Sequence, residues 1–226
     1  MPHESIGQAP RFSLPVKQTR SQKTRDRLLA AGFKLLRRKD FDQLSVAEIA
    51  RAADCAVGSF YQRFFDKDQY FYALAEMRRT QSSAQLEDWY DDATLANIVA
   101  RAIDRDLGFV LDHPEYWRAA LRRGTTDPAF WEGFRALGRK SVDRFLEVYG
   151  GLLKRKLSGE EVERIRFAFQ MARGTMNNTL MNMPGPVNLD DPAFRRQIER
   201  AFRLVAGIEA GNGAGPARAP RRRRAN

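Results

Sequence analysis

Three things that this chain of 226 residues lacks narrow what it can be. Cys55 is the single cysteine, so no disulfide can form within one chain, and a zinc site built on several thiolates is excluded. No apolar run approaches the roughly 20 residues needed to span a bilayer. The N-terminal stretch has no apolar segment and no small-residue cleavage site of a secretion signal. We therefore expect a cytoplasmic protein with no membrane partner.

Catalytic patterns are missing as well. The sequence has no nucleophile motif, no glycine-rich phosphate loop and no metal-ligand spacing, which predicts no catalytic residues, no metal and no cofactor. His113 lies beside Asp112 and close to Glu115, and this group is the basis of an alternative hypothesis, a helical enzyme. A lone histidine before a proline at a helix end is more often structural. We expect a protein that is not an enzyme.

Positive charge is concentrated at the two ends of the chain. Residues 17–80 carry 14 basic and 8 acidic side chains, whereas residues 81–210 carry 19 of each. Residues 211–226 add five arginines and no acid, so the net charge of +11 belongs to the ends. A small basic segment beside a large neutral one is typical of a nucleic-acid-binding unit joined to a neutral domain.

Helical patterns follow one another along the chain, and no alternating strand pattern occurs. An amphipathic first helix starts at Thr19, and a capping box from Ser45 to Glu48 starts a short second helix. The apolar period breaks before Val57, where a third helix begins, and Asp66 offers a cap for a long fourth helix. These signals predict two short helices joined by a tight turn.

The later helices are marked by the same kinds of signal. Five are predicted: Leu95 to Asp112, Glu115 to Arg123, Asp127-Pro128 towards Lys156, Ser158 to about Met183, and Asp191-Pro192 to about Gly207. The second capping box, Ser158 to Glu161, and two Asp-Pro pairs supply the starts. The fold class is therefore all-α.

Two short helices around a tight turn, the second with exposed polar and aromatic residues, form a helix-turn-helix. Residues 24–71 resemble the DNA-binding domain of the TetR family of bacterial transcriptional regulators. The resemblance rests on Thr24-Arg25-x-Arg27-Leu28-Leu29-x-Ala31, Ser45-Val46-x-Glu48-Ile49-Ala50-x-Ala52-Ala53 and Gly58-Ser59-Phe60-Tyr61-x-x-Phe64-x-x-Lys67. It implies an N-terminal helix-turn-helix, three-helix DNA-binding domain joined to a larger helical ligand-binding and dimerisation domain.

Four parts of the chain are expected on this basis. They are a flexible arm (1–18), the helix-turn-helix DNA-binding domain (19–66), the helical ligand-binding and dimerisation domain (67–210) and a disordered basic tail (211–226). Lys17, Arg20 and Lys23 are either solvated charges or a DNA-contacting arm. The tail arginines are either solvated or an auxiliary, sequence-independent DNA contact.

Residue chemistry assigns tasks within the helix-turn-helix. Hydroxyl and cationic side chains suit phosphate oxygens, and the resemblance places Ser45, Ser59, Tyr61 and Lys67 there. Gly58 would let the third helix approach the duplex closely. Val57 and Gln62 would face base edges, on a thymine methyl and on adenine respectively, while Arg63 is open to phosphate or guanine.

Three residues depart from the family pattern. Asp40 and Asp54 stand where the family usually has glycine, at turns expected to need a left-handed residue. Ala56 replaces the usual serine cap of the third helix, a loss of about 1 kcal/mol. We expect these residues to affect local stability more than function.

The larger domain is expected to bind a ligand and to form a homodimer. Candidate ligand-binding residues are Trp117 and Phe134, from an aromatic cluster, and Arg173 and Asn177, which interrupt an apolar stretch. The last two could instead pair in a helix–helix interface. The family forms its dimer through the last two helices, and apolar side chains support this here: Phe167, Phe169, Met171, Ile198, Phe202, Leu204 and Val205.

The function expected from these features is that of a DNA-binding transcriptional regulator. It would be a repressor that binds double-stranded DNA at a palindromic operator and is released by a small apolar or aromatic ligand. Alternatively, a regulator of the same fold is controlled by a protein partner or works without a ligand.

Overall fold

Nine α-helices and one short 3-10 helix make up the regular structure of the part of the chain described by the computed structural model. It describes residues 14–209, with side chains from residue 21 onward. The helices are α1 (Leu14–Leu35), the 3-10 helix (Phe41–Gln43), α2 (Val46–Ala52), α3 (Val57–Tyr61), α4 (Lys67–Asp88), α5 (Ile98–Leu111), α6 (Pro114–Thr126), α7 (Pro128–Leu153), α8 (Gly159–Asn182) and α9 (Pro192–Ala206). The predicted all-α class is confirmed. Most of the expected arm and the whole basic tail lie outside the described residues.

Local capping fixes where most of these helices begin. Ser45 and Ser158 each form a complete capping box with the glutamate three residues on. Asp66, Asp127 and Asp191 cap α4, α7 and α9 through backbone N–H groups of the first turn. All five starts were predicted from the sequence and are confirmed.

Two expectations about the first helix and its exit were wrong. α1 begins at Leu14 and not at Thr19. Pro15 is tolerated there because backbone N–H groups of the first turn have no partner within the helix, so a proline in that turn costs no hydrogen bond. Asp40 is not left-handed: its φ is −57° and it caps the 3-10 helix by accepting a hydrogen bond from the Asp42 N–H. Asp54 does adopt the expected left-handed conformation, with φ of 50°.

α4 links the two parts of the molecule. Its first turns bury Tyr70 and Phe71 against α1 and the 3-10 helix, and its later turns bury Leu86 among the helices that follow. α8 and α9 pack on each other at the far end, around Phe169 and Phe202. None of the helices within residues 14–209 has the length and apolar character needed to cross a lipid bilayer.

The contact between α1 and α4 leaves no room for a side chain at Gly32. A Cβ atom there would lie 2.0 Å from the Tyr70 hydroxyl oxygen. That hydroxyl is buried and donates a hydrogen bond of 2.7 Å to the Leu28 carbonyl oxygen. Burial raises the pKa of Tyr70, so the phenol stays neutral and remains a donor.

We predict that Gly32→Ala lowers the free energy of unfolding by about 2 kcal/mol, because it displaces Tyr70 and breaks its buried hydrogen bond. Urea denaturation measures this. Gly108→Ala is the matched control: it lies within α5 with nothing within 4 Å of the added Cβ, so helix propensity should raise stability by up to about 1 kcal/mol. Equal effects of the two substitutions would show that Gly32 is not a packing requirement.

Candidate nucleic-acid interface

α2 begins with a hydrogen-bonded capping box that occupies Ser45. The Glu48 N–H donates to Ser45 Oγ at 3.1 Å, while the Ser45 N–H and hydroxyl donate to Glu48 Oε2 at 2.8 and 2.9 Å. Lys39 Nζ donates to Glu48 Oε1 at 2.6 Å. The Lys39 hydrogen bond and those from Ser45 lower the pKa of Glu48 to about 2. The carboxylate is therefore charged and fixed, and Ser45 is held at the exposed end of α2.

The turn between α2 and α3 is closed by backbone hydrogen bonds. The Cys55 N–H donates to the Ala50 carbonyl oxygen at 3.0 Å, across the left-handed Asp54. Ala56 occupies the N-cap position of α3 and makes no side-chain cap, as expected from the missing serine. The first N–H groups of α3 are therefore not capped by a side chain of the preceding turn.

One side of α3 is held by an aromatic cluster. Phe60 is fully buried, with its ring centroid 5.3 Å from that of Phe64 and 5.2 Å from that of Tyr70. Phe64 and Tyr70 meet edge to face at 5.0 Å. A helix of five residues is not stable alone, so this packing is what keeps α3 in place.

The opposite side of α3 is exposed and has few internal partners. Val57 and Tyr61 expose 42% and 55% of their surface, and a Cβ atom at Gly58 would have nothing within 4 Å. The side chains of Ser59, Tyr61 and Gln62 make no hydrogen bond to another described residue. These are donors, acceptors and an apolar contact on one short helix, which is the chemistry needed to read a DNA groove.

Arg63 and Lys67 have structural contacts in addition to their expected role. Arg63 Nε donates to the Ser21 carbonyl oxygen at 3.2 Å and Nη1 to the Ser59 carbonyl oxygen at 2.7 Å, which ties α1 to α3. Lys67 Nζ donates to the Asp42 carbonyl oxygen at 3.2 Å and lies 4.8 Å from the centre of the Phe41 ring. Both cations keep further N–H groups for an external acceptor.

Two exposed residues on this side were not singled out from the sequence. Phe65 exposes 80% of its surface between α3 and the cap of α4. A residue at that place often packs inward as a hydrophobic staple, so its type alone gave no sign of exposure. Arg51 lies on α2 beside Val57, along a groove of about 590 Å³. Arg51 comes two residues after the buried Ile49, and this spacing on a helix could have indicated that Arg51 faces outward.

The four candidate ligand-binding residues lie in one region, but they bind each other or their neighbours. Trp117 Nε1 donates to Asn177 Oδ1 at 2.9 Å, and the Trp117 and Phe134 ring centroids are 5.2 Å apart. Arg173 forms an ion pair of 2.7 Å with the buried Asp106 and donates to Ser141 Oγ at 2.9 Å. The observed contacts of Arg173 and Asn177 are thus helix–helix contacts within the chain.

In the enzyme hypothesis Glu115 would be an acid–base partner of His113. Its carboxylate instead forms an ion pair with Arg118, one turn along α6. The His113 ring packs on Phe33, with centroids 5.1 Å apart. Burial, reinforced by the positive charges of Arg78 and Arg37, lowers the pKa of His113. Within residues 14–209, no cluster of three or more His, Cys, Asp or Glu side chains is arranged to hold a metal ion.

This fold and this exposed helix define a helix-turn-helix protein with an additional helical domain. Residues 28–74 match the family described as bacterial regulatory proteins, tetR family. An uncharacterized HTH-type transcriptional regulator from Haemophilus influenzae is 25% identical over 136 residues, which span 58% of this chain and 64% of that protein. The match thus covers less than two thirds of this relative. Residues 28–74 are therefore similar to the helix-turn-helix region of the tetR family of bacterial regulatory proteins.

Solved structures share the fold over most of the chain. A TetR transcriptional regulator from Rhodococcus sp. RHA1 superposes with a TM-score of 0.54 at 20% identity, over 82% of this chain and 97% of that one. A tetR-family transcriptional regulator from Streptomyces coelicolor gives a TM-score of 0.59 at 19% identity, over 83% and 80% of the two chains. The larger helical domain therefore resembles theirs in architecture.

We predict that Gln62→Ala changes which base is preferred at one position of a bound duplex, whereas Lys67→Ala and Tyr61→Phe weaken binding to all duplexes about equally. Base contacts carry sequence information and phosphate contacts do not. Competition binding against a set of single-base duplex variants measures both effects. An unchanged preference profile for Gln62→Ala would remove it as a base-reading residue.

Proposed function

We propose that this chain is a DNA-binding transcriptional repressor that binds an inverted repeat as a homodimer and is released by a small molecule. The observation that carries the proposal is α3, which is fixed on one side by Phe60 and presents uncommitted side chains on the other. A rigid helix with a polar outer face is what a major groove admits. The match of residues 28–74 to the tetR family of bacterial regulatory proteins supports the same function.

Each side chain of the interface has a task in this proposal. Tyr61, Ser59 and Lys67 donate to phosphate oxygens and so set the register on the duplex. Ser45 would join them by turning its hydroxyl, which donates to Glu48 in the free protein, towards a phosphate. Gln62 and Val57 contact base edges, and the bare Gly58 allows the N-terminal end of α3 to approach closely. Arg63 fixes α3 to α1 and has N–H groups left for a phosphate or a guanine.

The dimer is proposed to form through the outer faces of α8 and α9. Phe167 and Leu204 expose 58% and 74% of their surface there, and Met181 is also exposed. Large apolar side chains at such exposure favour an interface. Phe169, Ile198 and Phe202, which the sequence also suggested for this role, are buried in the core of the chain and are not available to a partner.

The ligand is proposed to be small and largely apolar or aromatic, and to enter the helical domain near Trp117 and Phe134. Trp131 completes an aromatic group there, 5.5 Å from Trp117 and 5.3 Å from Phe134 between ring centroids. Arg173 and Asn177 would supply the polar contacts if the helices separate. α4 would pass the change to the helix-turn-helix, because it starts at Lys67 and runs into the larger domain.

Control by a protein partner, or the absence of a ligand, is the second candidate. The internal hydrogen bonds of Asn177 and Arg173 favour it, since these groups need no ligand to be satisfied. A native mass spectrum of the purified full chain separates the two, because a retained small molecule adds its mass to the dimer.

We predict that selection from a random duplex pool enriches an inverted repeat, and that affinity for it falls as salt rises. Two-fold symmetry of a dimer requires a two-fold symmetric site, and phosphate contacts release counterions. The full chain is used at two salt concentrations. If no inverted repeat is enriched, the proposed function is wrong.

We also predict that Leu204→Glu converts the dimer to a monomer, because it places a charge within the proposed α8 and α9 interface. Sedimentation velocity at micromolar concentration measures the change. Phe65→Glu is the matched control, since Phe65 exposes 80% of its surface and lies between α3 and α4, in the helix-turn-helix unit. A Leu204→Glu protein that sediments as the unsubstituted chain does would contradict this placement of the interface.

A further inference from the structure

Two arginines near the C-terminal end of α6 form ion pairs with other segments: Arg122 with the entry to the 3-10 helix, and Arg123 with the first turn of α4. Arg122 Nη2 lies 2.9 and 2.7 Å from the two carboxylate oxygens of Asp40, and 3.6 Å from Asp42 Oδ2. Arg123 forms an ion pair with Asp68, in the first turn of α4. We name these five residues the α6 clasp. It joins segments that are 82 and 55 residues apart in sequence.

The clasp is connected to the proposed DNA-contacting residues by short steps. Asp40 Oδ1 also accepts a hydrogen bond of 2.9 Å from the Asp42 N–H, so Arg122 is bonded to the cap of the 3-10 helix. The carbonyl oxygen of Asp42 accepts from Lys67 Nζ at 3.2 Å. Phe41, in the same 3-10 helix, is buried 4.6 Å from Phe71 between ring centroids. A movement at Arg122 would therefore displace the anchor at Lys67.

Arg123, the second arginine of the α6 clasp, contacts the start of α4. The Arg123 guanidinium lies 5.3 Å from the Phe71 ring centre and 5.5 Å from that of Tyr72. The Tyr72 hydroxyl in turn donates to Asp127, the N-cap of α7. The turn between α6 and α7 thus holds α4 by a cation, two rings and a carboxylate.

The geometry of attachment indicates what the clasp does. α4 is the covalent connection between α1–α3 and the larger domain, and one helix alone would let the unit tilt about it. α6 adds contacts at both of its ends: Tyr116 meets Phe33 of α1 at 5.3 Å between ring centroids, and Arg122 meets Asp40. Two contacts offset from α4 fix the tilt.

The energetics favour a role in orientation over one in stability. The side chains of Asp40 and Arg122 are 26% and 39% exposed, and those of Asp68 and Arg123 are 65% and 24% exposed. Ion pairs at such exposure contribute only about 0.2–1 kcal/mol to folding. A tilt, however, moves α3 at the far side of the unit, and a dimer must keep its recognition helices about 34–36 Å apart.

We infer that Arg122 and Arg123 are positioning residues for DNA recognition, which set the distance between the two α3 helices of a dimer by fixing the tilt of each helix-turn-helix unit. The inference rests on the proposed function. It predicts that loss of the clasp leaves the half-site sequence unchanged and relaxes the spacing between half-sites.

The experiment is selection from a duplex pool that holds two half-sites at every separation from 0 to about 12 base pairs, roughly one helical turn. The unsubstituted chain should enrich one separation. Arg122→Gln/Arg123→Gln should enrich the same half-sites over several separations, with affinity for the best-spaced duplex reduced about threefold to tenfold and with little change in melting temperature.

Two further variants complete the test. Arg118→Gln is the matched control, because it removes a cation from α6 that faces α8, where its Nε donates to the Leu180 carbonyl oxygen. It should keep the single separation. Arg122→Lys/Arg123→Lys keeps both cations and should enrich fewer separations than Arg122→Gln/Arg123→Gln, because an ammonium group can still pair with Asp40 and Asp68.

The outcomes distinguish the inference from the function on which it rests. If the unsubstituted chain enriches an inverted repeat and Arg122→Gln/Arg123→Gln retains its single separation, the clasp does not position α3 and the inference is overturned. Relaxed spacing in Arg118→Gln would overturn it equally. If the unsubstituted chain enriches no inverted repeat, the proposed function fails and the inference fails with it.

Discussion

The burial of Phe60 is the interaction on which the rest of the interface depends. α3 has five residues and no side-chain cap, so neither its length nor its ends can hold it. Phe60 packs against Phe64 and Tyr70, and the Tyr70 hydroxyl reaches the Leu28 carbonyl oxygen in α1. The bare Gly32 makes that approach possible. The exposed side of α3 is ordered because the buried side is.

Two side chains of the interface serve the fold and also keep N–H groups for the outer surface. Arg63 links α1 to α3, and Lys67 links α4 to the 3-10 helix. A side chain fixed by one partner loses less conformational freedom when it binds a second one. In the proposed complex these residues would be held in place before the duplex arrives.

Sequence patterns predicted the local features of this molecule well and the long-range ones poorly. The caps at Ser45, Asp127 and Asp191 were predictable, because each motif is complete within four residues. The conformation of Asp40 was not predictable from the sequence. It caps the 3-10 helix, and its main partner, Arg122, lies 82 residues further along the chain. A departure from a family pattern was read as a local defect, although Asp40 forms a contact between the two parts of the chain.

The candidate sites show the same limit. Val57, Tyr61 and Gln62 were assigned to the exposed side of α3, and the structure exposes all three. On α8, Phe167 and Phe169 are both apolar and two residues apart, and only packing decides that the first faces outward and the second inward. Helical periodicity marks an apolar stripe but does not tell whether it meets the same chain or another. The partners of Arg173 and Asn177 were likewise beyond what spacing could give.

α6 lies between the helix-turn-helix unit and the larger domain, so it is placed to transmit changes in either direction. One side of α6 contacts α1 and the 3-10 helix, and the other donates from Trp117 to Asn177 in α8. A ligand or a protein partner that moves α8 relative to α6 would act on the orientation of α3 without touching it. The proposed function requires that α3 is the element that meets the duplex.

Amide hydrogen exchange of the full chain, with and without a saturating duplex recovered by selection, tests that requirement most directly. The first N–H groups of α3 have no side-chain cap, so they should exchange fast in the free protein. We predict that the duplex slows exchange most in peptides covering residues 57–62, with weaker protection at residues 45 and 67. Unchanged exchange across residues 57–62, with protection in another segment, would contradict the account.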